Sequence, residues 1–173
     1  MSRRHTIAQI ALALLSIFPI AGQAADSTRQ AEVAKRGTEV MPFRLEATTH
    51  IFTKTADGGV QRVIAKDPSD TAQVQLVRQH LHEIQAQFRN GDFSGPAHIH
   101  GQEMPGLAEL KAAPPRSVAI GYKDVKSGAE LVYRTGDRKL VAALHRWFDA
   151  QLSDHGADAM AGHGHHGSGM HHK

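Results

Sequence analysis

Two glycine-bearing turns constrain this chain more than anything else in it. Each sits between two short strand-like runs, and each is followed by an amphipathic stretch. The first is Asp57-Gly58-Gly59, flanked by residues 45–53, rich in Thr, Ile and Phe, and by a return strand over residues 60–66. Glycine supplies the positive φ that tight hairpins need. Asp67-Pro68 then reads as a helix start, an N-cap oxygen followed by proline at the first helical position. Val74, Val77, Leu81, Ile84 and Phe88 follow at spacings of three and four until Asn90-Gly91 stops the helix. The second copy repeats the grammar: a strand over 117–122 with Val118, Ile120 and Tyr122 on one face, a turn at Ser127-Gly128, and a return strand over 129–135. Gly136-Asp137 caps a helix whose stripe is Leu140, Val141, Leu144, Trp147, Phe148 and Leu152. A ββα unit used twice predicts an α+β domain with a four-stranded, mostly antiparallel sheet and two helices on one face.

The N-terminus is read as an export signal. Arg3, Arg4 and His5 give a positive start, residues 7–20 are largely apolar, and Gly22-Gln23-Ala24 offers small residues for cleavage. The apolar run is about 14 residues, short of the roughly 20 that span a bilayer. The expected boundaries are a signal peptide at 1–24, a mobile polar leader at 25–40 with a short helix near 27–35, one domain at 41–155, and a low-complexity tail at 156–173. The expected compartment is the periplasm, with no stable membrane insertion after cleavage. Loss of Arg3 and Arg4 lowers the formal charge from +3 to +1, so the basic balance says little about partners. No cluster of lysine and arginine with interleaved aromatics argues for nucleic acid. The chain has no cysteine, so no disulfide holds the fold and a metal site must use His, Met or carboxylate.

Histidine is the unusual residue, 13 in the chain. His163, His165, His166, His171 and His172 lie within ten residues, with Met160 and Met170 nearby and glycines between. Neutral imidazole suits copper, zinc and nickel, and thioether sulfur adds affinity for cuprous ion. A second candidate is His98-Ile99-His100, in the long connection over 91–115. In an extended segment both rings point the same way, and Glu103 or Met104 closes the site, with His50 as a further ligand. Residues 105–112 are expected as one short helix. His80 and His82 sit about 200° apart on a helix and cannot share one ion; His80 lies at the edge of the apolar stripe and His82 on the solvent side. His145 and Asp149, four apart, are placed to touch at the surface.

Signatures of enzymes are sparse. His82-Glu83 has no second histidine where a zincin needs it, and neither a Gly-x-Ser-x-Gly elbow nor a phosphate-cradling glycine loop is present.

From Thr48-Thr49-His50 to Asp154-His155 the chain resembles a family of small exported bacterial proteins of unknown function. The shared features are the Thr-Thr-His strand, Gly91-Asp92-Phe93 after a helix, Pro105-Gly106 in the long loop, and the final Asp-His. Members often bear the name aspartate carbamoyltransferase. This chain offers no carbamoyl-phosphate site; the one echo, Ser27-Thr28-Arg29, falls in the leader. The resemblance implies a fold unit and export, and no activity.

Three readings follow. The first is a periplasmic protein that buffers, sequesters or delivers a transition metal, copper first, then zinc or nickel. The second is an enzyme with a histidine-based site, a pocket holding His50, His98 and His100. The third is an interaction domain whose long loop binds a periplasmic partner.

Overall fold

A computed structural model describes residues 21–163. Most of the signal segment, residues 1–20, and the tail from 164 onward lie outside the described residues. The fold is α+β. In chain order it comprises α1 (Ala21–Val40), a 3-10 turn (Leu45–Ala47), β1 (Thr48–Thr55), β2 (Gly58–Ala65), α2 (Thr71–Arg89), α3 (Ser94–His100) and α4 (Leu107–Ala112). It continues with β3 (Ala119–Val125), β4 (Gly128–Arg134), α5 (Arg138–His155) and β5 (Ala159–Ala161). Among the described residues no helix is long and apolar enough to cross a membrane.

The sheet runs β3-β4-β2-β1-β5. β1 and β2 form one antiparallel hairpin, β3 and β4 the other, and β2 joins them by pairing antiparallel with β4, Gln61 opposite Leu131. The expected four strands are extended by β5, which lies parallel to β1 with Ala159 opposite His50. The first residues of the expected disordered tail are therefore a sheet edge. Ala-Met-Ala carries no apolar pattern of its own, and its pairing is a backbone matter.

Side chains alternate across the strands. Phe52, Val63, Ala129, Leu131, Tyr133 and Ile120 are buried beneath the helices, while Ile51, Arg62, Lys123 and Arg134 lie on the other face. α2 lies mainly over β4 and β3, and α5 over β2, β1 and β5. Each helix thus covers chiefly the hairpin of the other unit. Trp147, Phe148, Tyr133 and Phe52 fill the half of the layer toward the β1–β2 turn.

α2 starts three residues later than expected. Asp67 spends its carboxylate on the N–H and hydroxyl of Ser69, making a turn, and Asp70 is the cap that accepts from the Gln73 N–H. The long connection contains two helices rather than one. Gly106 opens α4 at φ 80°, pressed against the backbone of Ala143 on α5, a conformation and closeness only glycine tolerates.

The segment expected as a mobile leader is instead α1, docked on α3 and α5. Its apolar stripe is thin, with Val33 fully buried and Val40 half-buried, and polar anchors complete it. Arg36 Nε donates to the Ile99 carbonyl at 2.6 Å, and Arg29 forks onto Asp154.

Candidate functional site

α1, β1, β2, α2, α3 and α5 enclose a cavity of about 130 Å³ at the end of the layer opposite the β1–β2 turn. Four histidines line it, each from a different element: His50 from β1, His80 from α2, His100 from α3 and His155 from the last residue of α5. Gln61 and Gln151 add amide groups, and Met41, Phe43, Val63, Leu81, Ile84 and Phe88 supply apolar wall. The mouth lies between α2 and α3, where Glu83 and Gln87 are exposed and Gly95 and Pro96 half-exposed.

His100 is the best-organised group. Its Nδ1 lies 2.8 Å from Asp154 Oδ2, and both side chains are buried. Arg29 grips the same carboxylate, Nη2 to Oδ2 at 2.7 Å with Nε on Oδ1, and its Nη2 also donates to the His100 carbonyl at 3.1 Å. Burial alone pushes the Asp154 carboxyl up; the hydrogen bonds from His100 and Arg29 outweigh it and hold Asp154 below the ordinary carboxylate range. With an ionised acceptor at Nδ1, that nitrogen is the donor, and in the neutral tautomer Nε2 is then the one with the lone pair.

Burial disfavours the charged form of the remaining rings, His50, His80 and His155. His155 stacks on His50 at 4.6 Å between centroids and 26° between planes, and meets His100 edge-on at 5.1 Å. Burial, and then the neighbouring imidazoles, push His50 far down. Burial pulls His155 down to about 4 and lowers His80, which lies edge-on to Phe43. His50 Nε2 is buried with no partner among the described residues.

The metal site expected from His50, His98, His100, Glu103 and Met104 does not assemble. Residues 94–100 are helical, so His98 and His100 point apart instead of sharing a strand face. His98 is exposed, 2.7 Å from Glu39. Glu103 is exposed in a separate hollow with Arg29, Pro105 and Arg146, and Met104 is core. Among the described residues no three His, Cys, Asp or Glu side chains converge as a metal site. In the cavity this follows from the ring geometry, since stacked and perpendicular imidazoles do not aim their lone pairs at one point. His163 is exposed beyond β5; His165, His166, Met170, His171 and His172 lie outside the described residues.

The remaining histidines have structural places. His80 joins the cavity. His82 is exposed, edge-on to Tyr122. His145 does not touch Asp149: its Nε2 donates to the carbonyls of Thr55 and Gly58 and ties the β1–β2 turn to α5, while Asp149 pairs with Lys54.

Reading by residue type missed His155, Gln151 and the Arg29 anchor. A signal was there for the first two. The stripe Leu144, Trp147, Phe148 continues by helical spacing to Gln151 and His155, and polar residues on a buried stripe mark a polar interior. No family model, no curated protein and no solved structure matches this chain.

Proposed function

We propose that this chain is an exported acid–base enzyme acting on a small molecule, with His100 as the proton-transfer group and Asp154 as its orienting partner. The observation that carries the reading is the placement of His100, clamped at Nδ1 by a buried carboxylate while the ring lines a cavity. A base fixed in tautomer and orientation by a carboxylate is the arrangement general-base catalysis uses. Nε2 takes a proton from a substrate O–H or N–H, or from an attacking water, and Asp154 stabilises the imidazolium that forms. Among the described residues no serine, threonine or cysteine lines the cavity, so the reading is proton transfer or water attack, without a covalent side-chain intermediate. The neutral rings of His50, His80 and His155 keep the site free of competing cations. A metal-buffering role rests on the histidines of residues 163–172 alone, because the folded unit brings no ligand set together among the described residues.

The test is alkylation by 2-bromoacetamide, in which an imidazole lone pair displaces bromide and a C–N bond forms. Peptide mapping by mass spectrometry then compares His100 with exposed His98. His100 is expected to react faster than His98, and Asp154→Asn to slow His100 at least about tenfold, the imidazole losing its tautomer, with His98 unchanged. Equal rates at the two histidines, or indifference to Asp154→Asn, sink the reading.

A further inference from the structure

We infer that the cavity binds a neutral, single-ring molecule of phenol size that offers one O–H or N–H donor to His100; this rests on the acid–base reading of His100. Size comes first. A cavity of about 130 Å³ is close to the roughly 150 Å³ apolar cavity that takes up benzene, so one six-membered ring with a single substituent fills it. Polarity comes second, because the lining is divided. Phe43, Leu81, Ile84 and Phe88 make an apolar wall, and His50, His100, His155 and Gln151 a polar one. A ligand matching both is apolar over most of its surface and polar at one end.

Charge decides between ligand classes. Among the described residues Glu83, at the mouth, is the only carboxylate in the lining, and no lysine or arginine lines the cavity. A carboxylate or phosphate ligand therefore finds no cation and passes Glu83 on entry, and an unpaired charge is costly to bury. The direction of hydrogen bonding follows from Asp154. With the His100 proton held on Nδ1, the nitrogen left for a ligand is an acceptor, which selects a donor. His50, buried with Nε2 unpartnered among the described residues, is a second polar group on the same wall.

The experiment titrates the full chain with phenol, toluene and benzoate, following binding by calorimetry, with the His100 tautomer read from its ring ¹⁵N shifts. Phenol is expected to bind about tenfold tighter than toluene, the factor that one buried hydrogen bond of about 1.4 kcal/mol gives, and benzoate weakest of the three. His100→Asn keeps a donor for Asp154 and lacks the Nε2 acceptor. In that variant the preference for phenol disappears, and toluene binding in the same variant reports that the cavity is intact. Toluene matching phenol, benzoate binding best, or no phenol binding, in a protein whose His100 proton is on Nδ1, overturns the ligand class and leaves the acid–base pair standing. A His100 proton on Nε2 overturns both.

Discussion

Acid should unfold this protein through its buried histidines, and His155 allows the size to be worked out. Its ring is buried between His50 on β1 and His100 on α3, and of the charged groups around it Asp154 and Asp158 oppose the shift without reversing it. Burial lowers it from 6.5 to about 4 in the folded state. Above pH 6.5 the ring is neutral in both states and the linkage vanishes. As pH falls below 6.5 the unfolded chain binds the proton first, so stability is lost progressively until about pH 4, where the folded ring also protonates. A gap of about 2.5 pH units corresponds to about 3 kcal/mol in all, of which about 2 kcal/mol is lost between pH 7 and pH 5. That is a sizeable share of the 5–15 kcal/mol typical of a domain. The assay is urea unfolding at pH 7, 6 and 5 for the natural chain and for His155→Gln, comparing slopes rather than absolute stabilities. The variant should lose about 2 kcal/mol less than the natural chain over that range. His50 and His80, lowered in the same direction, remain in both proteins and cancel in the difference. Parallel slopes would refute the assignment of His155 as a buried neutral base.

Three other substitutions or truncations separate the parts of the design. Arg29→Ala removes one of two partners of buried Asp154 and an anchor of α1; because Arg29 is itself exposed, the loss is expected at about 1–2 kcal/mol by urea unfolding, with faster proteolysis within residues 26–40. An unchanged midpoint and cleavage rate would mean that Val33 and Arg36 hold α1 unaided. Gly106→Ala places a methyl group against the Ala143 backbone at a φ that side chains avoid, so a loss of about 3 kcal/mol or more, read as a fall in the urea midpoint, is expected. A chain ending at Gly162 should retain its far-ultraviolet circular dichroism and lose all calorimetric binding of Cu(II) and Zn(II) seen with the full chain; retention at a single tight site would place a metal in the folded domain.

What could be read from the sequence is instructive at particular residues. The helix stripes of α2 and α5 were legible because Val74, Val77, Leu81, Ile84 and Phe88, and likewise Leu144, Trp147 and Phe148, are apolar at helical spacing over several turns. The hairpins were legible because their turns carry glycine. α1 was not: one fully buried valine makes no stripe, and its docking depends on Arg29 and Arg36 reaching atoms 125 and 63 residues away, which no local pattern encodes. The site was half legible. His50 and His100 stood out by residue type, but the proposed geometry required His98 and His100 on a strand. Ser94-Gly95-Pro96 turned out to open a short helix, which sends the two rings apart and leaves only His100 inside. Asp154-His155 stands out in the sequence only as part of a resemblance. Its chemistry could not be read, because the carboxylate acquires meaning only when α3 delivers His100 to it.

The cavity also breaks the symmetry of the doubled ββα unit in a way that bears on function. Comparable inward positions of the two hairpins differ: β1 and β2 present His50 and Gln61, whereas β3 and β4 present Ile120, Leu131 and Tyr133. Tyr133 hydroxyl donates to Gln61 at 2.7 Å, linking the solid aromatic half of the layer to the polar half. Three rings whose charged form burial disfavours, His50, His80 and His155, reduce stability at acid pH, as the behaviour expected of His155 makes quantitative. A core of this size could have been filled with leucine and phenylalanine, as its other half is. Imidazoles from four separate elements around one cavity therefore support the proposed acid–base role over a packing role, and the group among them with a carboxylate behind it, His100, is the one that proposal rests on.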